Sequence, residues 1–94
     1  MNLLAEHPYY KVERQISEQG PTTVIHSRRL LLYTDRLETR HRNFPLSQVF
    51  DISFRLFGGE ALMIYLHTHQ GVYTYMTETD PEPFILAYKS LVSR

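Results

Sequence analysis

Residues 61–92 decide the fold. They run Ala61-Leu-Met-Ile-Tyr-Leu-His-Thr68, a Gln70-Gly71 turn, Val72-Tyr-Thr-Tyr-Met-Thr77, and Asp80-Pro-Glu-Pro-Phe-Ile-Leu-Ala-Tyr-Lys-Ser-Leu-Val92. The first two stretches alternate with period two, as strands on a pleated surface do. Leu62, Ile64 and Leu66 share one face. Met63, Tyr65, His67 and His69 share the other, and Val72, Thr74 and Met76 oppose Tyr73 and Tyr75. The third stretch opens with a helix start: Asp80 can cap, Pro81 suits the first helical position, and Glu82 favours the positive end of the dipole. Phe84, Tyr88 and Leu91, with Ile85 and Val92 beside them, form an apolar stripe spaced three and four apart. Covering the sheet with that stripe is worth on the order of 25 cal/mol per Å² of apolar surface removed from water.

Upstream, Val49–Phe57 alternates so that Phe50, Ile52, Phe54 and Leu56 face one way and Asp51, Ser53 and Arg55 the other. Gly58-Gly59 follows as a turn that accepts positive φ. Phe44-Pro-Leu-Ser-Gln48 interrupts the strand before it. In that strand Leu37, Thr39 and His41 alternate with a charged ladder of Arg36, Glu38, Arg40 and Arg42. Leu30–Tyr33 and Thr22–His26 read as two strands or one long bent one. Tyr9–Ser17 places Tyr10, Val12 and Ile16 opposite Tyr9, Lys11, Glu13 and Gln15, the pattern of a half-exposed strand, and Glu18-Gln-Gly-Pro21 turns the chain. The expectation is a mainly β, α+β domain of six or seven antiparallel strands within about 9–78, closed by one helix over about 81–92.

A chain of 94 residues makes one domain, spanning 1–94. Hydrophobic content of 43% and aromatic content of 13% are those of a folded globule. The chain contains no cysteine, which fits a reducing compartment. The start Met-Asn-Leu-Leu-Ala-Glu-His-Pro has neither the basic nor the apolar segment of a signal peptide, and no apolar run approaches the roughly 20 residues of a membrane helix. A cytoplasmic protein is expected. Ten basic residues balance ten acidic ones, so the global field of a nucleic-acid binder is missing.

This succession, at this length, resembles the pleckstrin-homology-like superfold, in particular its small stand-alone bacterial members. Arg29-Leu-Leu-Leu-Tyr33 with Leu37-Glu-Thr39 is similar to the early strands, and Phe44-Pro-Leu-Ser-Gln-Val49 to the step into the middle strand. Asp80-Pro-Glu-Pro-Phe-Ile-Leu-Ala-Tyr-Lys-Ser-Leu91 is similar to the closing helix. The resemblance spans roughly residues 9–92 and implies an antiparallel β-sandwich or partly open barrel. It also implies a binding scaffold without catalytic machinery or cofactor. Phosphoinositide-binding relatives place Lys and Arg around the first hairpin loop, whereas Ser17–Thr22 here holds Glu18 and no base. The Trp of the eukaryotic closing helix is missing too. Both departures argue against an inositol lipid.

Three groups of residues remain as candidates. Tyr65, His67, Tyr73 and Tyr75, with Met63, suggest a face or sheet edge for a protein or peptide partner, copies of this chain included. His67 and His69, two apart on a strand, are a candidate for metal or a small ligand that lacks a third ligand in sequence. The Arg28–Arg42 block, with Arg36, Arg40 and Arg42, is a candidate for nucleic-acid contact through the phosphates, opposed by Asp35 and Glu38 within it. No serine has a nucleophile-elbow context and no Gly-rich run can cradle phosphates, so an enzyme is not expected.

Overall fold

The structure, a computed structural model, describes residues 3–93; Met1, Asn2 and Arg94 of the sequence reading lie outside the described residues. Seven strands and one helix follow in order: β1 Ala5–Ser17, β2 Gly20–Leu32, β3 Arg36–Glu38, β4 Asn43–Pro45, β5 Val49–Leu56, β6 Leu62–Thr68, β7 Gly71–Thr77 and α1 Glu82–Val92. A single 3₁₀ turn, Leu46–Gln48, joins β4 to β5. The strands form one antiparallel sheet in the order β4-β3-β2-β1-β7-β6-β5. The mainly β fold with one closing helix is therefore as expected. The sheet is not closed into a barrel, because β4 and β5 remain its two edges.

The sheet nonetheless folds over itself. Three strands separate β4 from β7, about 19 Å in a flat sheet with strands about 4.8 Å apart, yet the Phe44 and Tyr73 rings are 5.1 Å apart. Into the resulting hollow point Leu30 and Leu32 of β2, Leu37 of β3, Phe44 of β4, Val49 and Ile52 of β5, and Ile64 and Leu66 of β6. Helix α1 packs across β1 and β5 and adds Phe84, Ile85 and Tyr88. Leu91 is only partly buried and Val92 is exposed, so the stripe read from sequence runs one turn beyond the core. Asp80 Oδ1 accepts the Glu82 N–H at 3.0 Å, which supports the helix start.

Two expectations need correction. In β5 the register shifts between Val49 and Asp51, so a β-bulge puts Val49 beside Ile52 in the core and turns Phe50 outward. Phe50 instead packs on His69, ring centroids 4.3 Å apart. The ladder of Arg36, Glu38, Arg40 and Arg42 also breaks, because β3 ends at Glu38 and Thr39–Arg42 form a turn closed by Thr39 N–H to Arg42 O at 2.8 Å.

Turn chemistry sets the β6–β7 register. Thr68 Oγ1 accepts the Gln70 N–H and donates to Gly71 O, and Gly71 has φ +129°. A side chain is not tolerated at that φ although the space around it is open. Gly71→Ala is expected to cost about 1–3 kcal/mol, the range for a strained backbone position, read from urea unfolding.

Candidate functional site

The longest strands make the least covered part of the molecule. β1 and β2 pair along their whole length, from Ala5↔Leu32 to Ser17↔Gly20, but among the described residues β1 meets β7 only at Tyr10↔Met76 and β2 meets β3 only at Leu31 and Leu32. Residues 11–17 and 20–28 therefore project as a two-stranded arm with neither edge paired, in a molecule 53 Å long but only 27 and 25 Å across.

The polarity of the hairpin inverts along its length. Near the body its inward face carries His7, Tyr9 and Leu30, all buried. Farther out the same face becomes polar, with Lys11 opposite His26, Glu13 opposite Val24 and Gln15 opposite Thr22. Glu13 and His26 pair at 3.1 Å, a contact that lowers the Glu13 pKa. The outward face does the reverse and becomes apolar toward the tip. Val12 sits opposite Ile25, and Ile16 opposite Pro21, at exposures of 44%, 63% and 91% for Val12, Ile25 and Ile16. Sequence period two grouped Tyr10, Val12 and Ile16 correctly, but the body covers the other face.

The same register argument revises the aromatic face. Thr68↔Gly71 places Leu66 opposite Tyr73 and Ile64 opposite Tyr75, so both tyrosines point inward. Tyr73 packs on Phe44, and Tyr75 lies 4.9 Å from Tyr9 with ring planes at 70°. Burial pushes the Tyr75 phenol up to about 12, so it stays protonated. Tyr65 and His67 remain outward, and their neighbours there are Thr74, Val72, Met63 and Met76. Across the Tyr10↔Met76 pairing, that patch runs into the apolar stripe of the arm. Thus Tyr10 and Met76 replace Tyr73 and Tyr75, and the two-residue turn arithmetic was the signal that could have shown it.

The two histidines of the candidate pair have separate partners. β6 ends at Thr68, and the turn carries His69 onto Phe50, while His67 Nε2 lies 2.9 Å from Ser53 Oγ. Among the described residues no three His, Asp or Glu side chains group as a metal site requires.

The basic block is divided as well. Arg36 bonds to Glu38 and Asp35 and stacks 4.1 Å from the Tyr33 ring centroid, and the Glu38 bond raises its pKa. Arg29 pairs with Glu6 on the outward face. Arg28 and Arg42 instead come together at a cleft of about 500 Å³ where β1 and β7 part beyond Tyr10. Arg42 stacks over Tyr73 at 4.6 Å. The Tyr9 hydroxyl accepts the Arg40 N–H at 3.4 Å and holds the 39–42 turn at the cleft rim. No family model, curated protein or solved structure matches this chain.

Proposed function

We propose that this chain is a non-catalytic interaction module on a pleckstrin-homology-like scaffold, and that its partner is a second copy of itself. The scaffold reading is supported by the succession of seven antiparallel strands and one closing helix. The observation that carries the function is the outward apolar stripe Val12, Ile16 and Ile25 on an arm with free edges. A two-stranded ribbon is marginally stable alone in water, and an apolar stripe on it gains most from being covered.

The argument for a second copy is that one chain carries both halves of such a contact. The arm stripe and the Met63, Tyr65 and Met76 patch adjoin on one continuous face. A two-fold axis between them lays each arm over the other body, a reciprocal contact that closes as a dimer rather than growing into a fibre. Tyr and Met are enriched in interface cores. Zero formal charge leaves no net repulsion between copies.

Light scattering coupled to size exclusion tests the reading. The wild-type chain is expected to run as a dimer, and Ile16→Lys with Ile25→Lys as a folded monomer with the wild-type circular dichroism spectrum, whose melting point no longer rises with concentration. Both substitutions are on exposed positions, where effects on stability stay within about 0.5 kcal/mol. A monomeric wild type at roughly 100 μM, well above the dissociation constant of a standard-sized interface, overturns the proposal.

A further inference from the structure

We infer that the cleft at the base of the arm is a binding site for a phosphate-bearing small molecule. This goes beyond self-association, because the site lies in the wedge where β1 and β7 separate; Val12 and Met76 of the outward face border it, but Ile16 and Ile25 do not line it.

Charge is the first observation. The chain is neutral overall, but Lys11, Arg28, His41 and Arg42 all line this cleft, and among the described residues no carboxylate does. Four acids are engaged by other cations: Glu6 with Arg29, Glu13 with His26, Asp35 and Glu38 with Arg36. Lys11, Arg28 and Arg42 have no ion pair among the described residues. Three cations lining one hollow with no carboxylate among them add their attraction for an anion seated there.

Preorganisation is the second. Arg42 is exposed, but it is held by local contacts. Its backbone N–H bonds to Thr39 Oγ1 at 3.1 Å, its guanidinium lies over Tyr73, and the turn that carries it is tied to the Tyr9 hydroxyl. Arg28 is half-buried on a long paired strand opposite Tyr9. Guanidinium groups already held in place lose little freedom when they bind, and their planar forks match phosphate oxygens.

Size and lining are the third. A volume of about 500 Å³ suits a small molecule. Tyr75, kept neutral by burial, and Met76 offer an apolar wall beside the cations. A phosphate ester with an organic portion fits this division better than a bare ion. A free phosphorylated metabolite and a lipid headgroup present the same chemistry, and the test must separate them.

Two-dimensional amide NMR with inorganic pyrophosphate is the direct experiment. Saturable shifts are expected at Lys11, Arg28, Thr39 and Arg42. Arg28→Gln and Arg42→Gln are each expected to weaken binding roughly tenfold or more, the loss typical of a hydrogen bond to a charged group. Arg29→Gln, on the outward face, is expected to leave affinity unchanged. Co-sedimentation with phosphatidylcholine vesicles containing phosphatidic acid assigns the source. Pelleting that requires Arg28 and Arg42 identifies a headgroup, and pyrophosphate binding without pelleting identifies a soluble ester. No saturable shifts, an equal loss in Arg29→Gln, or shifts only with an acidic peptide or an RNA oligonucleotide overturns the inference. Unchanged spectra of the free variants exclude misfolding as the cause.

Discussion

Tyr88→Ala is expected to leave this domain barely folded. Tyr88 is 1% exposed and sits where α1 crosses the edge strand β5, with its hydroxyl donating to Val49 O at 3.0 Å. Burial, with the Asp51 carboxylate adding to it, raises its pKa, so the donor proton is retained across the ordinary pH range. Replacing a buried aromatic by Ala costs about 3–5 kcal/mol, against a total stability of about 5–15 kcal/mol for a domain. A chain of this length sits toward the low end. Tyr88→Phe separates the two contributions. It keeps the ring and strands the Val49 carbonyl, at a cost of about 1–3 kcal/mol. Leu86→Ala, on the exposed side of the same helix, controls for helix propensity. Urea unfolding followed by circular dichroism reads all three. A Tyr88→Ala loss no larger than that of Leu86→Ala would mean that α1 does not close the core.

The fold was legible because its long elements obey their periods. Phe84, Ile85 and Tyr88 recur at helical spacing behind Asp80-Pro81, and Ile64 and Leu66 alternate ahead of Gly71. Nothing local to β5 marks Val49, rather than Phe50, as the core residue. The bulge is decided by the pairing of Val49 with Thr68, a partner 19 positions away in sequence. The alternation of Phe50, Ile52 and Phe54 points Phe50 inward, and the bulge breaks that period at its first step.

The candidate site was legible only in its parts. Tyr10, Val12 and Ile16 were grouped on one face, but hydrophobicity does not say which face the body covers. That is settled by His7 and Tyr9, which anchor the opposite face through tertiary contacts. Arg28 and Arg42 were visible as members of a basic block. What brings them together while sending Arg29 and Arg36 elsewhere is strand parity at positions 28 and 29 and the end of β3 at Glu38. The cleft is thus a product of topology, with members drawn from four parts of the chain. The arm is a different case: one long bent strand was one of the two readings the sequence left open for β2, but its lack of neighbours was not legible, because strand order is a property of the whole sheet.

Acid is expected to loosen the domain through His7. This side chain is 5% exposed, although it stands in the first strand and beside an open corner of the sheet. Its Nε2 lies 3.1 Å from Thr79 O and 3.1 Å from Thr77 Oγ1. A carbonyl can only accept, so Nε2 carries the proton. Thr77 in turn donates to Pro8 O at 2.9 Å and accepts the Thr79 N–H at 3.2 Å. The network fastens β1 to the end of β7 just before α1, and the Phe84 ring lies 6.2 Å from the imidazole. Burial lowers the His7 pKa below 6.5, while the Thr79 carbonyl and the Asp80 carboxylate pull less strongly the other way. The unfolded chain therefore binds the proton more readily than the folded one. His7 contributes its full stability above the unfolded value of 6.5, and that contribution falls away as the pH drops from there through the folded value. His7→Ala is expected to remove this pH dependence and to cost about 1–3 kcal/mol at neutral pH for each buried partner left unpaired. Urea midpoints measured on both sides of pH 6.5 decide the matter. If the wild-type midpoint is flat across that range, or if His7→Ala keeps the wild-type slope, the imidazole is not the group that couples folding to protons.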